Sequence, residues 1–363
     1  MVQPHNLRCR RKMRTREYSA KWTRKGDWAP HIDAGNQISP GIYPTVAADS
    51  ADEDSTEQLE LREELKRSGL KICYQSRRDG NSELYVMDAD GSNSINITNT
   101  PELDEIYPHI SRDGRRVCFT VMRMEKMPDE RTVPCFDIYW MRIDGNERML
   151  VERDATDPCW DPDGCKIAFV KRLGREKTKD YQNTGLFAYD IRAQEIEELV
   201  GKLYHAYVPC WSPVGKWIVA TVHDHAEFGH AIVAIDLQDK QVYSLEKCGI
   251  NGCRPDLSWD GEFICWNPND IQIGIAPFDP LCSRKLSLRA IAQAPAPNGS
   301  VYFSDWSPDG KYIAYSMNGN VSMSDTETRA LWDIFVTRAE GGPYVQLTFD
   351  HANNKHPEFF LPT

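Results

Sequence analysis

One hairpin pattern recurs along this chain and limits its fold more than any other feature. In the stretch DPCWDPDGCKIAFV, Asp157 to Val170, a polar turn with Asp163 and Gly164 separates a tryptophan from an apolar run. Asp and Gly suit the positive φ angles of a tight turn, and the β-branched and aromatic run is typical of a buried strand. Four further stretches repeat this plan, at residues 107–120, 208–221, 254–267 and 303–316.

The turn glycines of these five hairpins are regularly spaced. They are Gly114, Gly164, Gly215, Gly261 and Gly310, so that neighbours lie 50, 51, 46 and 49 residues apart. A period of this size is typical of propeller blades and not of helical solenoids. A second apolar hairpin follows each first one, as in LYVMDADGSNSINIT. Each repeat therefore predicts four antiparallel strands, which form one blade.

The two ends of the repeat region predict a sixth blade between them. HPEFFLPT, at 356–363, matches an innermost strand, and SGLKICYQS, at 68–76, matches a second strand whose first is missing. Pairing these ends removes two exposed strand edges. The predicted fold class is all-β: a six-bladed β-propeller of four-stranded antiparallel blades, closed by pairing of the C-terminal strand with the first blade.

The region before the propeller has a different composition. Residues 1–54 are predicted to be a disordered basic arm and linker, because the first 25 carry nine Lys or Arg against one acid, Glu17. Residues 55–67 predict a short helix, with Ser55 as N-cap, Gln58 completing a capping box and Gly69 ending it. The predicted domains are thus 1–54, 55–67 and 68–363.

Charge and cysteine content limit the partners and the location. A net charge of −11 and a pI of about 5.4 argue against binding of duplex nucleic acid. No run of 18 apolar residues exists, so we expect no membrane span. Cys73, Cys118 and Cys265 occupy a repeat position that elsewhere holds Ala or Val, which predicts buried free thiols. The odd total of 11 cysteines and the missing secretory signal favour a cytoplasmic location, with the periplasm as the alternative.

The repeats WDPDGCKIAFV, WSPDGKYIAYS and LYVMDADGSNSINIT resemble those of TolB-like six-bladed propellers, over about residues 68–363. The resemblance implies one of three roles: an interaction platform, the accessory domain of a peptidase, or the metal-binding scaffold of an oligogalacturonate lyase. We expect neither the amino-terminal domain nor the export signal of TolB in this protein. No G-x-S-x-G nucleophile elbow occurs in the sequence and we expect no appended hydrolase domain, so we do not expect peptidase activity.

Two groups of residues are predicted to bind ligands. The first is the position just before the large apolar residue of each innermost strand, where six side chains border the central channel at its mouth. These residues are His109, Cys159, Cys210, Asp256, Asp305 and Glu358. Crowding of the three acids predicts a bound cation, a protonated carboxyl group or a basic partner such as Arg254.

The second group is a set of histidines on the loops that enter the innermost strands or join second to third strands. We predict that they form a divalent metal site for Mn, Ca or Zn, although polar loops also tolerate histidine without any site. The residues are His223, His225, His230, His351 and His356. His205 is expected on the same loop-rich face, and His109 beside it.

These observations leave two functions open. The favoured one is a non-catalytic platform that binds a protein, peptide or glycan through the loop-rich face and the channel mouth. The alternative is a polysaccharide lyase resembling the oligogalacturonate enzymes, with a divalent metal at the histidine-rich rim. The lyase hypothesis predicts that basic residues such as Arg123, Lys171 or Arg175 face the same channel.

Overall fold

The chain folds into six four-stranded antiparallel sheets, which confirms the predicted propeller. The computed structural model describes residues 54–126, 130, 132–172, 184–203, 205–225, 229–295, 299–318 and 332–363. Of the predicted basic arm and linker, residues 1–54, all but Asp54 lie outside the described residues. In the described part of the chain, no helix is long and apolar enough to cross a bilayer.

The sheets follow one another along the chain as blades 1 to 6. Blade 1 contains β1 (Lys71–Ser76), β2 (Glu83–Asp88) and β3 (Ile95–Asn96), and blade 2 contains β4 (Asp104–Ile110), β5 (Arg116–Lys126), β6 (Thr132–Arg142) and β7 (Met149–Arg153). Blade 3 contains β8 (Ala155–Trp160), β9 (Lys166–Arg172), β10 (Thr184–Asp190) and β11 (Glu195–Leu203).

The remaining blades have the same composition. Blade 4 contains β12 (Tyr207–Trp211), β13 (Trp217–His225), β14 (Gly229–Asp236) and β15 (Val242–Ser244), followed by a 3-10 helix, Leu245–Cys248. Blade 5 contains β16 (Cys253–Leu257), β17 (Phe263–Asn269), β18 (Gln272–Pro277) and β19 (Arg289–Gln293). Blade 6 contains β20 (Ser300–Trp306), β21 (Tyr312–Asn318), β22 (Trp332–Arg338) and β23 (Tyr344–Gln346), and β24 (Lys355–Phe360) ends the chain's secondary structure.

The last strand closes the ring, as predicted. β24 pairs antiparallel with β1, with Phe360 opposite Lys71 and Phe359 opposite Ile72. Both phenylalanines are buried. Burial of two aromatic rings adds hydrophobic stabilisation to the backbone hydrogen bonds, so the first and last parts of the propeller hold each other in place.

The turns after the innermost strands explain the repeated glycine. In blade 2, Ser111 Oγ contacts Asp113, and the backbone N–H of Gly114 donates to the carbonyl of Ser111 at 2.8 Å. Gly114 has a φ of 68°, and a Cβ atom there would lie 2.3 Å from the carbonyl oxygen of Leu361. Glycine therefore provides both the left-handed conformation and the close approach of the terminal segment.

An α-helix, α1 (Thr56–Ser68), covers the groove between blades 6 and 1. Its N-cap is Ser55 with the predicted capping box, and Gly69 ends it in the left-handed conformation. Leu61 and Leu65 are buried in a cluster with residues of both blades. Arg62 donates to the carbonyl of Gln346 on the edge strand β23. The helix therefore supports the ring at its closure.

Among the described cysteines, seven are buried free thiols, Cys165 is a partly exposed free thiol, and two form a disulfide. Cys73, Cys118 and Cys265 are fully buried and free, as the repeat alignment predicts. Cys248 forms a disulfide with Cys282, with a Cα–Cα distance of 5.1 Å. Sequence analysis did not predict this pair, because the two cysteines are 34 residues apart and their contact depends on how blades 4 and 5 pack.

Candidate functional site in the central channel

The innermost strands of all six blades contain a bulge at the same position. The register with the second strand shifts once in each blade, for example between Ile106 and His109 and between Cys253 and Asp256. One residue per bulge has a positive φ between 47° and 59°. These six residues, which we call the upper ring, are Tyr107, Asp157, Val208, Arg254, Phe303 and His356.

Proline makes these bulges tolerable. In five blades a proline follows the upper-ring residue directly: Pro108, Pro158, Pro209, Pro255 and Pro357. Proline has no N–H group, so no donor is left unpaired where the ladder is interrupted. Each non-glycine residue at positive φ costs on the order of 1 kcal/mol. A bulge redirects a side chain, and here it places one residue per blade on the channel wall.

The six residues predicted as the first ligand group lie two positions after the upper ring, and we call them the lower ring. Each inner strand packs against the inner strands of its two neighbours, so the ring encircles the axis. The turns that leave the inner strands define the turn face, and the opposite end is the loop face. The lower ring is nearer the turn face. His109, which we expected beside the loop face, therefore lies toward the other end of its strand.

Lower-ring side chains join neighbouring blades. Each of them accepts a hydrogen bond from a backbone N–H in the next blade. The donor is the residue that follows the lower-ring residue of that blade. Trp160 donates to His109 Nδ1 at 3.3 Å, Trp306 to Asp256 Oδ2 at 3.2 Å, Phe359 to Asp305 Oδ2 at 2.6 Å and Ile110 to Glu358 Oε2 at 3.5 Å. The sulfurs of Cys159 and Cys210 contact Trp211 and Leu257 in the same way. The ring positions thus require an acceptor that reaches the adjacent blade.

Three of the lower-ring residues are acids on consecutive blades. Burial raises the pKa of Asp256 to about 6. Burial and the negative charges of Glu358 and Asp256 raise the pKa of Asp305 well above its usual value, and burial with the charge of Asp256 does the same for Glu358. Three carboxylates in one ring cannot all ionise without repulsion. At neutral pH at least one of them holds a proton unless a cation is bound.

The other lower-ring groups are neutral. Burial lowers the pKa of His109 to about 4, so its imidazole is uncharged at neutral pH. Burial also raises the thiol pKa of Cys159 and of Cys210 above the usual value. The Cys210 thiol lies 3.1 Å from Asp256 Oδ1. Neither cysteine therefore has the thiolate character that a nucleophile or metal ligand needs.

A cavity of about 70 Å³ lies against the lower ring and is lined by residues of all six blades. Arg112, from blade 2, donates to the backbone carbonyl of Trp259 in blade 5 at 2.8 Å. Its guanidinium also stacks on the Trp259 indole at 5.3 Å. Blades 2 and 5 are opposite each other in a six-membered ring. This contact consequently spans the turn-face mouth of the channel.

The upper ring places one guanidinium in the channel. Arg254 lies over the rings of Tyr302 and Phe303, at 4.3 and 5.0 Å from their centroids. Its Nη1 contacts the sulfur of Cys253 at 2.9 Å. Among the described residues, no carboxylate forms an ion pair with Arg254. A guanidinium without a counterion, with aromatic rings against it, is a favourable site for an anion.

Two further nitrogen-bearing side chains lie beside Arg254. Burial and the charges of Arg254 and Arg77 lower the pKa of Lys355 to about 8. His356 is 9% exposed and packs between Phe303 and Tyr107, with ring centroids 3.5 and 4.6 Å away. Burial and the charge of Lys355 lower its pKa well below the usual value. Its Nε2 has no hydrogen-bond partner among the described residues.

The described side chains include two of the five histidines that we predicted as metal ligands. His351 is on an exposed segment and contacts Asp333 at 2.6 Å, whereas His356 lies inside β24 in the upper ring. The backbone of His223 and His225 belongs to β13, and that of His230 to β14. The side chains of these three lie outside the described part, so a metal site there stays a prediction. Among the described side chains, no group of three or more His, Cys, Asp or Glu is arranged to hold a metal.

The basic residues of the lyase hypothesis are engaged elsewhere. Arg123 pairs with Asp137 at 3.0 Å and with Glu125 at 2.9 Å. Lys171 pairs with Glu152 at 3.1 Å, and Arg175 lies outside the described residues. The lyase hypothesis predicts that these bases face the channel; in the structure Arg123 and Lys171 are each paired with acids, and their placement in the channel stays a prediction.

Sequence analysis missed the upper ring. The signal was present, because proline precedes the lower-ring position in five of six repeats and marks the bulge. Arg254 was named only as a partner for the acids, and the structure places it with aromatic rings instead. The alignment by hydrophobic pattern identifies equivalent positions but does not show which side chains a bulge turns inward.

Comparisons with known proteins agree on the fold. No family model matches the chain. A protein named "Uncharacterized peptidase YuxL" from Bacillus subtilis is 24% identical over 214 residues, which is 58% of this chain and 29% of that protein. The chain thus spans less than a third of that curated relative.

Two solved TolB structures share the architecture. TolB from Acinetobacter baumannii aligns with a TM-score of 0.59 at 16% identity, over 81% of this chain and 67% of that one. A TolB from Agrobacterium tumefaciens aligns with a TM-score of 0.51 at 17% identity, over 77% of this chain and 88% of that one. At these identities the likeness concerns architecture alone. The chain is therefore a six-bladed β-propeller with the fold of the TolB-like propellers.

Proposed function

We propose that this propeller is a non-catalytic binding protein whose site is the central channel, with the ligand entering from the loop face. One observation carries the proposal. The wall of the channel holds Arg254 without a carboxylate partner at one end and three crowded acids at the other. All four keep some accessible surface, so a ligand in the channel can contact them.

This arrangement of charges lowers the stability of the protein when no ligand is bound. Charges taken out of water without partners cost several kcal/mol each in the limit of full burial. The six positive φ angles add strain on the order of 1 kcal/mol each. Strain and unpaired polar groups concentrate at functional sites, where a ligand offsets them. A protein, peptide or glycan that reaches into the channel is the class of ligand we infer.

The lyase alternative lacks support from the described residues. It depends on a divalent metal held by His223, His225 and His230, whose side chains lie outside the described part. Metal analysis of the purified protein separates the two functions. Bound Mn, Zn or Ca, together with a melting temperature that falls in EDTA, would favour the lyase. Absence of metal and an unchanged melting temperature would remove it.

A plug in the channel tests the binding proposal. Val208 has a short, uncharged side chain in the upper ring, and Val208→Trp is designed to fill the channel at that level. Ile196→Trp, on the exposed outer strand β11, is the matched control. The assay is a thermal-shift screen of short peptides and oligosaccharides, including oligogalacturonates. A ligand at 100 times its Kd stabilises the folded state by about 2.7 kcal/mol.

We expect ligands that raise the melting temperature of the wild type and of Ile196→Trp but not of Val208→Trp. Ligands that stabilise Val208→Trp as well would place the site outside the channel. Turnover of a ligand by the wild type, detected by mass spectrometry, would contradict the non-catalytic role. The two variants can be compared directly because both introduce a tryptophan and differ only in its position.

The cytoplasmic location and its periplasmic alternative are both kept as predictions. The Cys248–Cys282 disulfide supports the periplasmic alternative, because structural disulfides persist in oxidising compartments and are rare in the cytosol. Alkylation of the unreduced protein under denaturing conditions labels and counts the free thiols. If Cys248 and Cys282 stay unlabelled in protein taken directly from cells, the result would support export.

A further inference from the structure

We propose that the loop-face end of the channel binds a monocarboxylate attached to an apolar group, of the kind that the C-terminus of a peptide provides. This inference rests on the proposed channel function and names its ligand. The site consists of Arg254, Lys355 and His356, with aromatic rings around them.

The guanidinium of Arg254 is already oriented. Tyr302 and Phe303 lie against it, and Tyr207 is 6.0 Å away. Rings on the face of a guanidinium leave its edge, which carries the N–H donors in a planar fork; one of these donors, on Nη1, already contacts the Cys253 sulfur at 2.9 Å. The matching acceptor is a planar group with two oxygens, and a carboxylate has that geometry. Lysine at this position would present a point charge and lose the match.

His356 gives an independent indication. Its imidazole is nine-tenths buried between Phe303 and Tyr107, yet Nε2 has no partner among the described residues. A buried polar nitrogen without a partner costs about 1 to 3 kcal/mol. A neutral imidazole can carry its proton on Nε2 and donate to an anion. Nε2 is fully buried in the free protein, so a carboxylate bound to Arg254 would satisfy this donor only after the surrounding rings shift.

The charge balance selects a single negative charge. Arg254 and Lys355 are positive, and Asp157 in the upper ring is an acid whose charge acts on Arg254, while Asp270 is engaged by the hydroxyl of Tyr302. Arg77, which also acts on Lys355, is 4.0 Å from Asp104. The net charge of the Arg254, Lys355 and Asp157 group is therefore +1. A monocarboxylate neutralises it, whereas a phosphate dianion would leave one charge unpaired.

The surroundings favour an apolar group beside the carboxylate over a sugar. Lys355 Nζ lies 4.9 Å above the Trp332 ring, which stacks on Tyr302 at 5.4 Å. The hydroxyl of Tyr302 already contacts Asp270 at 2.6 Å. Gln75 Oε1 already accepts from the N–H of Tyr107 at 3.1 Å. Two of the polar atoms that could meet sugar hydroxyls are thus occupied, while aromatic surface remains for a side chain.

The test uses N-acetylphenylalanine, its amide and galacturonic acid as probes in isothermal titration calorimetry. N-acetylphenylalanine has the carboxylate and apolar group of a peptide C-terminus. Its amide removes only the charge and one oxygen. For a ligand of about 15 non-hydrogen atoms we expect a Kd of roughly 1 mM. The expected result is saturable binding of the acid and no detectable binding of the amide.

Three variants locate the site. Arg254→Met should weaken binding of N-acetylphenylalanine by roughly tenfold or more, because a charge-assisted bidentate contact is lost. Arg254→Lys should not restore it fully. Lys355→Met is the second variant if Arg254→Met fails to fold. Arg142→Met, whose side chain is exposed beside Asp144, is the matched control and should bind as the wild type does.

Two outcomes would overturn the inference: equal binding of the amide, or unchanged binding by both Arg254→Met and Lys355→Met. Tighter binding of galacturonic acid than of N-acetylphenylalanine would replace the peptide with a glycan and overturn it too. Failure here is distinct from failure of the channel proposal. If other ligands bind the wild type but not Val208→Trp, the channel remains the binding site although the carboxylate proposal is rejected.

Discussion

Replacing Asp256 by Asn should stabilise the protein, although Asp256 is a ring residue with two hydrogen bonds. Its Oδ1 contacts the Cys210 thiol at 3.1 Å, and its Oδ2 accepts from the N–H of Trp306 at 3.2 Å. Asn keeps an oxygen for the backbone bond between blades 5 and 6. It removes the charge that repels Asp305 and Glu358. The substitution therefore removes the unfavourable charge and keeps the link between the blades.

The magnitude follows from the pKa of Asp256, which burial raises from 3.8 to about 6. A shift of about 2 units at 1.36 kcal/mol each corresponds to about 3 kcal/mol. The folded state binds the proton more tightly than the unfolded state. The stabilisation that this proton gives to the folded state is fully present below about pH 4 and is lost as the pH rises through about 6. Asn has no proton to lose, so the variant should gain about 3 kcal/mol over the wild type at pH 8.

The assay is thermal unfolding at pH 4, 6 and 8. For about 300 residues the unfolding entropy is about 0.6 kcal/mol/K, so 3 kcal/mol corresponds to about 5 °C. We expect Asp256→Asn to melt about 5 °C above the wild type at pH 8 and at the same temperature at pH 4. Glu102→Gln, at an exposed acid, is the control and should show no such difference.

A pH-independent difference, or a variant less stable than the wild type at pH 8, would refute the reasoning. If the variant is less stable than the wild type at pH 8, thermal unfolding in EDTA distinguishes two explanations. If chelation lowers the wild type to the level of the variant, then the acids are ionised around a bound divalent cation. If chelation has no effect, the carboxylate of Asp256 stabilises the ring through its hydrogen bonds alone.

Three further predictions concern stability. Deleting residues 356–363 removes most of β24, so the soluble fraction and the melting temperature should fall sharply. Deletion of residues 361–363 is the control and should change little. If the protein without residues 356–363 melts at the same temperature as the intact chain, ring closure is contradicted. Leu61→Ala should cost about 2–5 kcal/mol in urea unfolding, because it leaves a cavity under α1, while the exposed Leu59→Ala should cost little. Cys248→Ser should lower stability by about 2–4 kcal/mol, and a reductant should lower the wild type equally; no effect of the reductant would show that the disulfide does not form.

The sequence by itself determined the blades and their number. Blades 2 to 6 each depend on contacts within about 50 residues: alternating apolar residues, a turn glycine with positive φ, and a second hairpin. These signals are local, and their regular spacing makes the incomplete first and last segments recognisable as one blade. The capping box of α1 is local in the same way, and the structure contains it. The six lower-ring positions were also found from alignment alone.

The tertiary structure alone decided the chemistry of the channel. Arg254, Phe303 and His356 come from three blades, about 50 residues apart, and they meet only after the ring has closed. A bulge shifts the register by one residue and reverses the direction of the side chain, so hydrophobic alternation could not place them on the channel wall. The same dependence on neighbouring blades explains why the acids have raised pKa values and why Arg254 lies beside aromatic rings. Local pattern specifies a strand, whereas the meeting of six strands around one axis specifies the site.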